Sequence, residues 1–276
     1  MPSPVYGSVP EPLRIGFVTI HAAEDRAAYS GTAYAMRESL LNHPNVAVTD
    51  IDNLATPLYP VWRAKQAVYR FGLGRRYWMN RQPSVVAGYG RQVSARLASM
   101  GPIDVLLSPG SIPLARYQGP IATVFWSDAT FDLLADFYPE ASNFARETVT
   151  AGHRMEREAL RNCRFAIYTS TWAAESAATT YQTPRSKMET VSYGANLAPP
   201  TGPTNVDNMI SRRLLCSLRL LFIGSHWHRK GGDIAVAMAC DLVRRGEAVT
   251  LDLVGCMPPT AVPNFVKVHG FIDKQS

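Results

Sequence analysis

Short apolar runs alternate with helical patterns along the first part of the chain. The run Leu13–Ile20 is followed by a polar stretch and then by apolar residues at helical spacing from Ala33 to Leu41. Helical patterns also cover 85–97 and 144–160. Further short apolar runs occur at 46–51, 103–107, 121–126, 165–169 and 188–193. Strands that alternate with helices predict an α/β fold with a doubly wound parallel sheet.

The alternation stops at 198–211, a proline- and asparagine-rich segment that is typical of an interdomain linker. A second unit begins at Leu218 with a strand, a loop, a helix over Asp233–Arg245 and two further strands. We therefore predict a first domain at 1–197, a linker at 198–213 and a partial second domain at 214–276.

The helix of the second unit has a clear dipolar pattern. Asp233 lies in its first turn and Arg244 in its last, and both charges complement the helix dipole. Ile234, Met238 and Leu242 recur at helical spacing and are expected to face the sheet.

The strand before that helix is apolar on both sides. Leu220 and Phe222 point to one face, and Leu221 and Ile223 to the other. Both faces then need helical cover, yet the unit contains a single predicted helix. We expect the chain to be C-terminally truncated relative to a complete fold of this kind.

Composition narrows the class of protein. Of 276 residues, 46% are hydrophobic and 18% are charged, which is typical of a globular domain. No apolar run approaches the about 18–20 residues that span a bilayer, and the N-terminus lacks the pattern of a signal peptide. The four cysteines show neither CxxC pairs nor metal-ligand spacing, so no metal site is expected. We predict a cytoplasmic location.

The formal net charge of +6 suits nucleic acid, anionic lipid or a phosphorylated substrate. Val61–Arg81 interleaves six Arg or Lys residues with five aromatic residues. Such a segment could lie on an anionic membrane at its inner face, or bind a charged acceptor. Alternatively, it is a helical insertion whose aromatic side chains pack on the domain. No nucleic-acid-binding signature accompanies it, so we expect no nucleic acid partner.

The segment Phe222–Asp233 is the strongest local motif. Gly224 ends the strand, so that the backbone can approach a ligand, and Arg229 and Lys230 precede Gly231 at the predicted start of a helix. Helix N–H groups beside two cations form a diphosphate site. The motif is neither a P-loop nor the dinucleotide-binding fingerprint, and a solvated basic turn is the alternative.

Two loops of the first domain are weaker candidates. Asp128 follows a predicted strand, where α/β folds bind ligands, and could contact a hydroxyl of an acceptor or a sugar. Alternatively, it caps the next helix. The loop Ser30-Gly31-Thr32 is either a ligand loop or an ordinary turn in which Ser30 or Thr32 caps a helix.

The motifs resemble, in order, those of family 4 glycosyltransferases. In chain order, the family has a Ser-x-Trp-Ala helix and then a Gly-Ala-Asn hinge. A strand follows, with a Gly-containing turn and an Arg-Lys-Gly sequence after it. The matching segments are 169–196, 222–233, 251–259 and 266–274. With the loop at 30–32, the resemblance extends over nearly the whole chain. It implies a GT-B-like fold, in which a Rossmann-like domain is followed by an incomplete second Rossmann-like domain.

The resemblance also implies an activity. Such retaining enzymes transfer a sugar from a nucleotide-sugar donor to an acceptor, here a glycan or a lipid-linked molecule, with no metal or other cofactor. The family's Arg and Lys, which neutralise the leaving diphosphate, correspond to Arg229 and Lys230. The loop with Gly31 and Thr32 corresponds to the one that faces the donor phosphates. Asp128 stands near the position where relatives often have a histidine.

Two departures from the family leave other interpretations open. Many members have Arg where this chain has Ser225, and their Glu-x7-Glu segment would lie beyond residue 276. The chain could therefore be a non-catalytic, truncated remnant of such an enzyme. It could also be a membrane- or polyanion-binding module that uses 61–81.

Overall fold

The computed structural model describes residues 11–196, 206–213 and 217–272. The chain divides into two compact units, Met1–Ala198 and Pro199–Ser276. The described part of the chain contains no helix that is long and apolar enough to cross a membrane.

The first unit is built on a six-stranded parallel sheet. Its strands are β1 (Leu13–Val18), β2 (Val46–Ile51), β3 (Val105–Ser108), β4 (Ala122–Ser127), β5 (Phe165–Tyr168) and β6 (Met188–Thr190). Each strand overlaps one of the predicted apolar runs. The order across the sheet is β2-β1-β3-β4-β5-β6, with all neighbours parallel. The sheet is therefore of the predicted doubly wound type, and its strand order reverses between β1 and β3.

Six α-helices accompany the described strands of this unit. They are α1 (Thr32–Leu41), α2 (Tyr59–Ala67), α3 (Pro83–Leu97), α4 (Phe131–Leu134), α5 (Arg146–Asn162) and α6 (Thr171–Thr179). A π-helical turn, Val68–Gly72, continues α2. Helices α1, α3 and α5 match the predicted helical patterns.

Helices cover both faces of this sheet, as a parallel sheet requires. On one face, Phe17 and Leu107 pack with Met36 of α1. The neighbouring residues Val18 and Leu106 point to the other face, where they join the larger core formed with α3, α5 and α6. The alternation along β1 and β3 thus builds two separate cores.

The second unit contains a three-stranded parallel sheet. Its elements are α7 (Val206–Ser211), β7 (Leu218–Ile223), α8 (Trp227–Lys230), α9 (Gly232–Arg244), β8 (Val249–Val254) and β9 (Val266–Gly270). The strand order is β7-β8-β9. Helix α7 lies in the predicted linker, so this part of 198–213 is helical rather than irregular. Residues 198–205 of that linker lie outside the described residues.

Helix α9 packs on its sheet by a different face from the predicted one. Ala239 is fully buried and Leu242 packs beside it, but Ile234 and Met238 are 70% and 50% exposed. Their predicted contact with the sheet is therefore wrong. The small residues Gly232 and Ala239 face inward instead, because they allow the helix backbone to approach the sheet closely.

The described residues cover strand β7 on one side only. Phe222 is buried in the core of the unit, whereas Leu221 and Ile223 are 64% and 69% exposed. The alternation of these three residues matches the two apolar faces seen in the sequence.

The close approach of α3 to the segment after β3 is a testable feature of the first unit. A Cβ atom at Gly90 would lie 2.5 Å from the backbone oxygen of Arg116. We expect Gly90→Ala to lower the free energy of unfolding by about 1–3 kcal/mol, because a backbone carbonyl cannot rotate away as a side chain can. Gly101→Ala is the control, since nothing lies within 4 Å of a Cβ there. Equal urea midpoints for the two variants would contradict the packing described.

Candidate functional site

A cavity of about 450 Å³ lies at the carboxyl ends of β1, β3 and β4 in the first unit. Its wall is formed by Ser30 and Thr32 after β1, by residues 109–112 after β3 and by residues 127–129 after β4. Strands β1 and β3 are neighbours from which the chain continues in opposite directions across the sheet, from β1 to β2 and from β3 to β4. Their loops therefore diverge, and this opens the crevice in which doubly wound sheets bind ligands.

Asp128 lines this cavity immediately after β4. The following helix α4 is capped by Thr130, whose Oγ1 accepts a hydrogen bond from the Leu133 N–H at 3.4 Å. The interpretation of Asp128 as the helix cap is therefore wrong. Ser127 donates from Oγ to the carbonyl of Ala129 at 3.0 Å, and this bond holds the turn around Asp128. The Asp128 side chain is exposed at the cavity wall.

The loop after β1 has a strained backbone. Tyr29, Ser30 and Gly31 have φ values of 50°, 58° and 85°. Two consecutive non-glycine residues in the left-handed region are uncommon, and such strain clusters at ligand sites. Gly31, rather than the predicted Ser30 or Thr32, is the N-cap residue of α1, and no side chain among the described residues caps this helix. The Thr32 hydroxyl oxygen instead accepts a hydrogen bond from the Asn196 Nδ2 at 3.2 Å.

A buried ion pair lies in the same cavity. Nη1 of Arg81 is 3.8 Å from Oε2 of Glu156, and the two side chains are 10% and 1% exposed. Ser111 donates from Oγ to the same carboxylate oxygen at 3.0 Å. The Arg81 guanidinium lies 5.5 Å from the Trp78 ring centre and 5.0 Å from that of Phe131. Arg81 is thus held by two rings and one carboxylate.

The pair keeps unused hydrogen-bonding capacity. Nε of Arg81 and Oε1 of Glu156 are buried and have no hydrogen-bond partner among the described residues. Burial raises the pKa of the Glu156 carboxyl, against the opposing effect of Arg81, and it lowers the pKa of Arg81. Both atoms are therefore desolvated without a compensating hydrogen bond, which is a cost to the folded state.

Sequence reasoning did not single out this pair. The sequence feature that could have indicated the pair is the position of Glu156 in α5. It lies on the buried side of this helix, with Gly152, Met155 and Ala159. A carboxylate in an otherwise small and apolar stripe indicates a buried partner or a ligand.

Several aromatic side chains surround these polar groups. They are Tyr29, Phe137, Tyr138, Trp172 and Tyr193. Aromatic walls with a few convergent polar groups are typical of small-molecule sites. Hydroxyl groups of a ligand could donate to Asp128, while the rings pack on its apolar faces.

The other predicted site residues lie in the second unit, at the carboxyl end of β7. Gly224 is buried there, and a Cβ atom on it would lie 2.8 Å from Cβ of Lys230. Trp227 packs over Gly232, where an added Cβ would meet its ring at 2.5 Å. Two glycines therefore allow the turn to fold back tightly. Part of the segment predicted as a loop forms the single-turn helix α8, which carries Arg229 at its third position.

This turn presents cations beside an open helix start. Arg229 and Lys230 are exposed, and Nη2 of Arg229 lies 3.4 Å from Nδ1 of His226. Gly231, at φ 75°, is the N-cap residue of α9 and offers no side chain to the first N–H groups of the helix. Positive side chains and N–H groups that no described side chain caps together favour an anion, although Asp233 in the first turn opposes it.

The predicted site residues thus form two groups. Thr32 and Asp128 line one cavity and Gly31 adjoins Thr32, all in the first unit. Gly224, Arg229, Lys230 and Gly231 share one strand-turn-helix segment in the second. Among the described residues, no group of three His, Cys, Asp or Glu side chains is placed to hold a metal ion.

Comparison with known proteins found structural but not sequence similarity. No protein-family model matches the chain, and no curated protein sequence matches it. A crystal structure of the glycotransferase of kitacinnamycin aligns at 12% identity and TM-score 0.46, over 94% of this chain and 71% of that chain. A glycosyltransferase from Rickettsia africae aligns at 9% identity and TM-score 0.48, over 95% and 69%. A Medicago truncatula protein in complex with UDP-glucose aligns at 9% identity and TM-score 0.46, over 96% and 72%.

Because each of these TM-scores is below 0.5, the alignments carry no argument about the activity or the ligands of this chain. Its α/β fold rests on the strand order and helices described above.

The coupling between Arg81 and Glu156 can be measured with a double-mutant cycle. We expect Arg81→Met alone to cost about 3–5 kcal/mol of unfolding free energy, because it leaves a buried carboxylate without its cation. The pair Arg81→Met/Glu156→Gln is expected to lose less than the sum of the two single variants. Urea unfolding of all three variants checks this, and strictly additive losses would exclude the coupling.

The same Arg81→Met variant should be sensitive to pH. Because burial raises the pKa of Glu156 above its unfolded value, the folded state gains stability as this carboxyl takes up a proton. The unfolding free energy that Arg81→Met loses relative to the unmodified chain should therefore become smaller as the pH is lowered from 8 toward about 5. A loss that does not change over this range would place the Glu156 carboxyl in contact with water.

Proposed function

We propose that this chain is a retaining, family 4-like glycosyltransferase that moves a sugar from a nucleotide-sugar donor to a glycan or lipid-linked acceptor. The observation that carries the proposal is the segment from β7 to α9, in which Arg229 and Lys230 precede a left-handed glycine and a helix start without a side-chain cap. This arrangement suits the diphosphate of the donor. The order of the sequence motifs supports the same assignment.

The proposed role of the cations follows from the charge that develops in the reaction. The bond between the sugar C1 and the diphosphate oxygen breaks, a bond from C1 to an acceptor oxygen forms, and the acceptor hydroxyl loses its proton. Negative charge therefore accumulates on the departing diphosphate. Arg229, Lys230 and the N–H groups at the start of α9 would stabilise this charge where they already stand, without a metal ion.

The cavity of the first unit would take a hydroxyl-bearing group. Asp128 is exposed at its wall and can accept a hydrogen bond from a hydroxyl of the acceptor or the sugar. The guanidinium of Arg81, which lines the same cavity and is 10% exposed, adds a positive charge at the wall. We therefore assign Asp128 to contact with the reacting molecules.

The donor site is tested by ligand binding to the full chain. We expect one class of nucleoside diphosphate or nucleotide sugar to raise the melting temperature. At a ligand concentration one hundred times its dissociation constant, the free energy of unfolding should rise by about 2.7 kcal/mol. Arg229→Ala/Lys230→Ala should weaken this binding at least about tenfold, because two charge-assisted contacts are lost. Calorimetry gives the dissociation constants.

A charge-matched control lies at the opposite end of the same helix. Arg244→Ala/Arg245→Ala removes two exposed cations that pair with Asp241, far along α9 from the proposed phosphate site. This variant should bind nucleotide as the unmodified chain does. If both double variants bind equally well, the phosphate assignment is wrong. Binding without sugar transfer would support the alternative of a non-catalytic remnant.

The role of Asp128 requires a separate measurement. This measurement uses the donor that the binding experiment identifies. Asp128→Asn should leave nucleotide affinity unchanged and lower the transfer rate by about 10²-fold, because the carboxylate is proposed to receive the proton of the acceptor hydroxyl. Asp136→Asn makes the same chemical change at an exposed site outside the cavity wall and should leave the rate unchanged. Equal rates for both variants would remove Asp128 from the reaction.

A further inference from the structure

Residues 58–76 form a surface of the first unit that combines exposed apolar side chains with arginines, and we call it the basic-apolar surface. The apolar members are at least half exposed: Leu58, Tyr59, Val61, Val68, Phe71 and Leu73. Phe71 is the most exposed of them, at 81%. Large apolar side chains that cluster on a surface indicate an interaction site.

The inner side of the same segment already supplies the contacts that hold it to the domain. Trp62 and Tyr69 stack on the buried ring of Tyr77, with ring centres 6.4 and 5.0 Å apart. Lys65 donates to Glu147 of α5 at 2.6 Å. Because these inner contacts already attach the segment to the domain, the exposed apolar residues on its outer side are not needed for the core of the unit. A helix that is apolar on both sides is expected to be covered on both sides.

The charge around this surface is of one sign. No acidic residue occurs between Asp52 and Asp104, a stretch that contains eight Arg or Lys residues. Of these cations, Lys65, Arg81 and Arg96 pair with carboxylates from outside the stretch. The other five have no ion pair with any described carboxylate, and four of them, Arg63, Arg70, Arg75 and Arg76, belong to this surface; the fifth is Arg91.

These four arginines share one depression. A hollow of about 490 Å³ is lined by Arg63, Arg70, Arg75 and Arg76 together with Phe71 and Asn143. Its size and charge suit a phosphate group and the small molecule attached to it. Phe71 belongs both to this hollow and to the exposed apolar set, so the anion site and the apolar patch are continuous.

We propose that the basic-apolar surface docks the first unit on an anionic phospholipid bilayer. The arginine-lined hollow receives a lipid phosphate, and Val68, Phe71 and Leu73 enter the acyl boundary beside it. Apolar insertion combined with attraction to anionic lipid is the pattern of a protein that lies on a membrane surface. This inference does not depend on the proposed glycosyl transfer.

Two other partners fit the surface less well. Single-stranded nucleic acid stacks its bases on aromatic side chains. Here Trp62, Tyr69 and Tyr77 are turned toward the domain, and the exposed residues are mostly aliphatic. A second copy bound through the same surface would bring the four arginines against four identical arginines, which repel. A bilayer supplies both the negative charge and the apolar layer.

Co-sedimentation of the full chain with vesicles tests the proposal. We expect binding to vesicles of phosphatidylcholine and phosphatidylglycerol, and at least about tenfold weaker binding to phosphatidylcholine alone. Phe71→Ser/Leu73→Ser and Arg70→Glu/Arg75→Glu should each weaken binding to the anionic vesicles at least about tenfold. All four side chains are exposed, and the hydrogen bond that is lost, from Arg75 to Asn143, is exposed as well, so the melting temperatures should change little.

The controls match these variants in chemistry. Arg244→Glu/Arg245→Glu makes the same charge reversal, and Met257→Ser removes an apolar side chain that is 67% exposed, both in the second unit. Neither should alter vesicle binding.

Three outcomes would overturn the proposal. The first is equal sedimentation with both vesicle types or with none. The second is loss of binding in the arginine variant alone, together with tight binding of a single-stranded RNA oligonucleotide, which would identify a polyanion site. The third is a dimer in analytical ultracentrifugation that Phe71→Ser/Leu73→Ser dissociates, which would identify a self-association surface.

Discussion

The parallel sheet of the first unit imposes two conditions on everything around it. Both of its faces have to be covered, and the carboxyl ends of all its strands lie at one edge. Helix α1 covers one face and α3, α5 and α6 cover the other. Because the strand order reverses between β1 and β3, the loops at that edge diverge, and the cavity with Asp128 lies where they part. The position of the candidate site is thus a consequence of the way the sheet is wound.

Helix α5 connects this cavity with the basic-apolar surface. Glu147 in its first turn holds Lys65 of α2, and Glu156, nine residues later, holds Arg81 beside the cavity. At 1.5 Å per residue, the two carboxylates lie roughly 13 Å apart along the helix axis. One rigid helix therefore holds the segment 58–81 at two points, Lys65 and Arg81. If this segment rests on a bilayer, the cavity is held at a set distance from it.

The local sequence pattern was sufficient for the strands and the long helices. Apolar runs such as Val46–Ile51 report burial directly, and the position of Asp128 after β4 follows from the strand itself. The pairing of Arg81 with Glu156 could not be predicted, because the two residues are 75 positions apart and their contact depends on how α5 packs. The rotation of α9 was also missed. It is set by Trp227 over Gly232, a contact that does not show in the spacing of Ile234 and Met238.

The two units share a feature at equivalent points of their folds. In each, the first helix of more than one turn after the first strand of the sheet starts at a left-handed glycine: Gly31, with φ 85°, before α1, and Gly231, with φ 75°, before α9. Neither helix has a side-chain cap among the described residues, although a Ser, Thr, Asn or Asp cap stabilises a helix by typically about 1 kcal/mol. Helices α4 and α6 do have such caps, from Thr130 and Ser170.

The difference between the two kinds of helix start has a physical consequence. A cap occupies the N–H groups that an anionic or polar ligand would otherwise use. Among the described residues, no side chain occupies the first N–H groups of α1 or α9, although the Thr32 N–H donates to the carbonyl of Tyr29, and the strained φ values of Tyr29 and Ser30 lie beside α1. Local rules of helix stability are most often broken at functional sites. In the described part of the chain, helices α2, α3 and α5 also begin without a side-chain cap, so a missing cap points to a ligand at α1 and α9 only together with the left-handed glycine and the candidate ligand residues beside it.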